Sequence, residues 1–189
     1  YEPWRNWRTE SSPKSLGLVR AAILAANPHN TQPWRFKVTE KRIELYADIT
    51  RNLGSFDPYL REMHLGLGCA LENIALAAIV NGYEAQVTLS PGDLGSIPSR
   101  QEPILVAAID LSPGQPQPSR LYDTIPQRHT NRGPYNPDRA IPSQALDHLR
   151  RIAESDPELT VFLYTTDSEK VKFGNACLLY TSDAADEVV

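Results

Sequence analysis

The sequence predicts an α+β fold in which helices pack on a sheet, and three patterns lead there. Apolar residues recur at helical spacing from about Pro58 to Asn81. Two short runs, Trp34 to Val38 and Ile43 to Leu45, alternate apolar with polar residues. Ile104 to Ile109 is continuously apolar. The first pattern is an amphipathic helix, the second a hairpin, and the third a strand covered on both faces.

Taken in order, Ser15 to Asn27 sets Leu16, Val19, Ile23, Leu24 and Ala26 on one helical face, with Ser11 or Ser12 as cap and Pro13 in a first turn. Asn27 precedes Pro28, which drives the backbone out of the helical region and ends the helix. The hairpin follows, turning at Thr39-Glu40-Lys41-Arg42. In the long helix, Leu60, Met63, Leu67, Leu71, Ile74, Ala75, Ala78 and Ile79 predict burial on more than one side, with Cys69 as a small buried apolar residue and His64 in a structural role. Gly82 stops that helix, and Ala85, Val87 and Leu89 alternate as a strand before a loop rich in Pro, Gly and Ser. After the strand at Ile104 to Ile109, the run SPGQPQPS at Ser112 to Ser119 reads as a linker. Beyond it the sequence predicts a helical turn at Leu121 to Ile125, a basic loop at Arg128 to Arg132, a helix from Pro142 to about Ser155 with His148 on its polar face, and a strand from Leu159 to Tyr164.

Composition narrows the function. Lys+Arg 19 against Asp+Glu 23 gives a net charge of −4 with no clustered basic face, which argues against nucleic acid as a partner. The longest apolar segment, Leu65 to Val80, is interrupted by Gly66, Gly68, Glu72 and Asn73, so no membrane span is expected. Two cysteines without ligand spacing predict neither a disulfide framework nor a metal site. The expected compartment is the cytoplasm, with export to the periplasm or cell envelope as the alternative if a leader precedes Tyr1. The run CLLYTSDAADE from Cys177 to Glu187 is similar to a one-frame translation of the transposase adapter used in sequencing libraries. Residues 177–189 are therefore expected to be non-native, with the natural chain cut near Ala176.

Two segments carry chemistry. In Pro28-His29-Asn30-Thr31-Gln32-Pro33, carboxamides sit on a turn stiffened by two prolines, where they could address the edge of a flat heteroaromatic ring. The plainer reading is a turn whose Asn and Gln cap local backbone. In Arg128-His129-Thr130-Asn131-Arg132, two guanidinium groups and a hydroxyl within five residues suit a phosphate dianion; the plainer reading is a solvated basic loop.

Read together, these segments resemble the nitroreductase superfamily. Asn30, Gln32, Pro33, Trp34 and Phe36 match its Asn-x-Gln-Pro-Trp-x-Phe signature, with His29 in place of the usual serines. Arg128, His129, Thr130 and Arg132, followed by Tyr135 and Ile141-Pro142, match the segment that begins such proteins. Here the order of the two is reversed. Together with ELYAD at Glu44 to Asp48, DPYLRE at Asp57 to Glu62 and LYDTIPQRHTNR at Leu121 to Arg132, that order resembles the tandem-duplicated Acg family.

The resemblance implies a nitroreductase-like fold in two copies: a first half at 1–111, a linker at 112–120, and an incomplete second half at 121–176. It implies FMN as cofactor, with the phosphate and ribityl end on Arg128, His129, Thr130 and Arg132 and the ring at Pro28, His29, Asn30 and Gln32. No Gly-x-Gly-x-x-Gly turn is present to hold a dinucleotide. The implied activity is reduction of nitro compounds, quinones or similar acceptors by NADH or NADPH through flavin, with no catalytic side chain identified. The alternative is an FMN store without turnover. In the family two subunits share each flavin, so a fused chain is expected to be a pseudo-dimeric monomer.

Overall fold

Alternation from residue 34 to residue 47 builds the expected hairpin. β1 (Trp34–Val38) pairs antiparallel with β2 (Arg42–Ala47), Trp34 opposite Ala47 and Val38 opposite Ile43. Ile43, Leu45 and Ala47 point into the core, as a period of two requires. The structure is a computed structural model that describes residues 2–8, 13–91, 102–131, 133–134, 136, 138–154, 157 and 160–186. β4 (Ile104–Pro113) lies between β2 and β3 (Tyr83–Leu89), giving a four-stranded antiparallel sheet in the order β1-β2-β4-β3. Consecutive burial of Ala107, Ala108 and Ile109 fits a strand covered on both faces, but only at its middle.

Six helices accompany the sheet among the described residues: α1 (Glu2–Asn6), α2 (Leu16–Ala22), α3 (Arg61–Val80), α4 (Arg120–Thr124), α5 (Ser143–Glu154) and α6 (Asp167–Asp186). α2 stops before the predicted Asn27 because its last turn tightens: the amides of Leu24 and Ala25 bond the carbonyls of Ala21 and Ala22, three residues back. The caps proposed at Ser11 and Ser12 lie outside the described residues. Ser15 begins the helix instead, and its buried hydroxyl donates to the Thr39 carbonyl of the hairpin turn at 2.6 Å.

α3 packs against α2, β3 and α4. Met63, Gly66, Leu67, Ala70, Ile74, Ala77 and Ala78 are buried on it, a stripe with steps of three and four. The expectation of burial on more than one side is corrected: Leu65 is 71% exposed, and Cys69, expected to be buried, is exposed as well. Both lie off the buried stripe, where apolar character alone does not bring contact. By length and hydropathy α3 could also cross a membrane, contrary to the expectation that no stretch would suffice. Its buried stripe, however, lies in the hydrophobic core, as in the core helix of a globular unit. At its end Gly82 takes φ +75°, a left-handed conformation that favours glycine and closes the helix.

The proline-rich stretch is tied down. Ser112 and Pro113 finish β4, the Gly114 amide donates to the Gly82 carbonyl at 2.9 Å, and the Gln117 amide donates to Ile79 at 3.1 Å. The chain divides into compact units between Asn131 and Arg132, a place that does not coincide with residues 112–120. The first unit holds all the buried hydrophobic residues among those described, from Trp7 to Ile125.

In the second unit, α5 carries Leu149 and Ile152 exposed. The strand expected at Leu159 to Tyr164 is not there: residues 160–165 belong to no strand, and Leu159 lies outside the described residues. A strand needs a neighbour for its amides and carbonyls, and all four strands described belong to the first unit. α6 begins on a reciprocal cap in which the Glu169 carboxylate accepts from the amides of Thr165 and Thr166 while the Glu169 amide donates to the Thr166 hydroxyl. These bonds hold the Glu169 carboxyl below its ordinary value, the Thr166 amide first among them. The backbone stays helical to Asp186.

Candidate functional site

The elbow between α2 and β1 is built from unusual backbone. Asn27 is extended at φ −153°, as the residue before a proline should be, and a single 3-10 turn follows over Pro28–Asn30. His29, Asn30 and Gln32 then take φ of 47°, 57° and 48°. Left-handed backbone costs a residue with a side chain roughly 1–2 kcal/mol, so three such residues in four need support from their surroundings.

That support can be traced bond by bond. The Asn27 carboxamide accepts from the Gln32 amide at 2.8 Å and donates to the Ala25 carbonyl at 3.2 Å, bridging the elbow from inside. Pro33 is fully buried, and its carbonyl accepts from the Asp48 amide at 2.9 Å. Arg51 Nη1 donates to the carbonyls of Thr31 and Gln32 at 3.1 and 3.3 Å. The elbow rests on α3 at Gly66, where an added Cβ would come within 3.3 Å of the Asn27 Cβ and 3.5 Å of the Pro28 Cδ. Asn73 of α3 donates to the Ala21 carbonyl at 3.0 Å, fixing the end of α2 from which the elbow springs.

Asp48 is the charged centre behind the elbow, 1% exposed. It caps a 3-10 turn (Ile49–Arg51) by accepting from the Thr50 amide at 3.3 Å and the Thr50 hydroxyl at 2.6 Å. Its Oδ2 accepts from Arg35 Nε and Nη2, each at 2.9 Å, and lies 3.4 Å from Arg51 Nε. Burial pushes this carboxyl up more than any other single influence, but the Thr50 hydroxyl and the Arg35 guanidinium together outweigh it and hold the carboxyl below the ordinary aspartate range.

The polar side chains of the elbow lie at or near the surface. The Asn30 Oδ1 accepts from Gln32 Nε2 at 3.3 Å, so the two carboxamides stand side by side, with Asn30 and His29 exposed and Pro28 and Gln32 half-buried. The Thr31 hydroxyl is buried with no hydrogen-bond partner.

The arginine loop follows α4 and a 3-10 turn (Ile125–Gln127) whose Ile125 is buried. Arg128 Nη2 reaches back to the Leu24 carbonyl at 3.4 Å, at the carboxyl end of α2 just ahead of the elbow. His129 stacks on Trp4 with ring centroids 5.5 Å apart, and Trp7 lies against Tyr122 at 4.6 Å. Arg8 sits over the Trp7 ring and pairs with Asp123. The amino-terminal segment thus braces α4 and the loop that leaves it. Thr130 is exposed, and Arg132 lies outside the described residues, as does Tyr135. The structure therefore sets Pro28, His29, Asn30 and Gln32 in the elbow that leaves α2, bonds Arg128 to the Leu24 carbonyl ahead of that elbow, and stacks His129 on Trp4 of α1.

Asp48, Arg51, Asn27, Gly66 and Trp4 also pack in this region, although none was among the expected site residues. Asp48-Ile49-Thr50 had a readable signal as an aspartate cap; Gly66 had none. A separate cavity of about 270 Å³ lies between α3 and the β2–β4 face, lined by Leu45, His64, Leu67, Leu71, Ile104 and Ala107 among others. It shares no residue with either motif. His64 Nδ1 bonds the Leu60 carbonyl at 2.6 Å. Among the described residues no group of His, Cys, Asp or Glu is arranged to hold a metal ion.

No protein-family model matches the chain. It is similar to two proteins of Mycobacterium tuberculosis strain H37Rv. One, named "Putative NAD(P)H nitroreductase Rv3131", is 32% identical over 121 residues, which are 63% of this chain and 33% of that protein. The other, "Putative NAD(P)H nitroreductase acg", is 32% identical over 120 residues, 62% of this chain and 34% of the relative. The chain thus spans about a third of the length of the curated relatives it matches.

Proposed function

We propose that this chain carries an FMN site of a nitroreductase-like oxidoreductase that uses NADH or NADPH to reduce nitro compounds, quinones or related acceptors. The observation that supports this most is the bond from Arg128 to the Leu24 carbonyl, four residues ahead of the elbow and within the same compact unit.

The donor set fits the cofactor. Among the described residues the Arg128 guanidinium makes one long bond, at 3.4 Å, and its further N–H groups would suit a phosphate, to which the exposed Thr130 hydroxyl adds a donor. Asn30 and Gln32 offer an acceptor and donors to the ring edge from a backbone held rigid on both sides. When bound, flavin supplies the redox chemistry, accepting hydride from a nicotinamide and passing electrons to the acceptor. The side chains of this chain bind and orient; none is assigned a proton transfer. In this reading the reversed motif order reflects a tandem arrangement, in which one chain provides both grips.

The test is optical. FMN is added to the purified protein under anaerobic conditions, followed by NADH or NADPH and then a nitroaromatic compound. Bleaching of the flavin and its return on adding the nitro compound are expected. Failure to bind FMN, or colour that persists with both nicotinamides, overturns the reading.

A further inference from the structure

The Gln32 peptide is gripped at both ends by groups from different parts of the chain. Its N–H goes to the Asn27 carboxamide and its carbonyl to Arg51, at 2.8 and 3.3 Å. Arg51 also holds the Thr31 carbonyl, and its Nε lies 3.4 Å from the buried Asp48. We propose that Arg51, aimed by Asp48, is a positioning residue that keeps the elbow left-handed and so directs the Asn30 and Gln32 carboxamides toward the flavin ring. This rests on the flavin reading of the elbow given above.

Several features favour positioning over plain charge neutralisation. Asp48 already has a guanidinium partner in Arg35, which makes two contacts at 2.9 Å and so meets the charge of the carboxylate without Arg51. Arg51 spends its Nη1 on two carbonyls of the elbow, and these belong to residues beside or within the left-handed run. A carbonyl held by a cation fixes the peptide plane, and the plane at Gln32 sets the direction of its side chain. Both arginines are about half exposed, so removing either does not open the core.

Arg51→Gln, Arg51→Lys and Arg35→Gln separate these roles, each made in the full chain. Two quantities are read: exchange of the Thr31 and Gln32 amides followed by NMR in the flavin-free protein, and the absorption shift and affinity of FMN and of riboflavin. Arg51→Gln should speed exchange at Gln32 by about tenfold and weaken both flavins alike by a similar factor, with loss of the spectral shift, which is the size expected for one charge-assisted bond. Arg51→Lys, able to reach one carbonyl at a time, should recover part of both effects. Arg35→Gln should leave both readouts near wild type. If Arg51→Gln leaves Gln32 exchange and the flavin spectrum unchanged, or if Arg35→Gln changes them equally, the positioning role is overturned. If exchange responds to Arg51 while the wild-type protein binds no flavin, the flavin reading fails and the part of Arg51 in holding the elbow stands.

Discussion

Arg128 and Asp48 represent two kinds of charge, one exposed at the surface and one closed inside the fold. Replacing Arg128 with Ala removes charge-assisted contacts to a phosphate worth roughly 1.5–3 kcal/mol, so FMN should bind about ten- to a hundredfold more weakly. Riboflavin, which lacks the phosphate, should bind that variant almost as well as wild type. Titration of both ligands checks this, and an equal loss for both would remove Arg128 from the phosphate. For Asp48 the sign follows from a folded value held below the ordinary one. Its ionised form contributes stability above about pH 4, and that contribution is lost as pH falls through the lowered folded value. Wild type should therefore exceed Asp48→Asn in stability at neutral pH, with the gap narrowing in acid; denaturant melts from pH 7 to pH 3 would reveal it. The turn from Pro28 to Pro33 was legible because its two prolines interrupt the preceding helix. Asp48 was not, since its burial depends on the β1–β2 pairing that brings Arg35 to it, and one-dimensional spacing carries no record of that contact.

The elements were legible to the extent that periodicity reports burial. The hairpin, α3, β3 and the start of β4 follow their patterns, whereas Cys69 was misread because helical spacing tells which residues share a face, not which face finds a neighbour. Two glycines two residues apart on α3 make that distinction measurable. Gly68 has nothing within 4 Å of an added Cβ, so Gly68→Ala should gain close to the full helix propensity difference of about 0.8–1.0 kcal/mol. At Gly66 the same methyl would press on Asn27 and Pro28, so Gly66→Ala should gain less or lose stability, and a larger Gly66→Val should displace the elbow. Thermal melts of the alanine pair test the ranking. If both gain equally, α3 and the elbow are not in close contact.

Among the described residues, the buried core and the expected site residues concentrate in the first compact unit. The core residues from Trp7 to Ile125 lie there, and so do the elbow, Arg128, His129 and Thr130. Deleting residues 177–189 should therefore leave the unfolding midpoint of that unit unchanged, which calorimetry can verify. A fall of several degrees would show that α6 contributes to it. The division at Asn131 and Arg132 was not visible in composition, because prolines mark where a chain cannot be regular, not where it is unattached. Residues 114–117 are irregular yet bonded to Gly82 and Ile79.

The position of the tryptophans makes the chain its own optical probe. All three belong to the first unit: Trp7 and Trp34 are each 7% exposed, and Trp4 lies on His129. Indole emission should follow the melting of residues 1–131 and be nearly blind to events beyond them. Trp4 stands beside the arginine loop and Trp34 two residues after Gln32, so a flavin held between loop and elbow would have an indole near each of its ends. Quenching of emission as FMN is added should therefore report occupancy without any label, and emission that stays constant through saturating FMN would place the flavin away from both indoles.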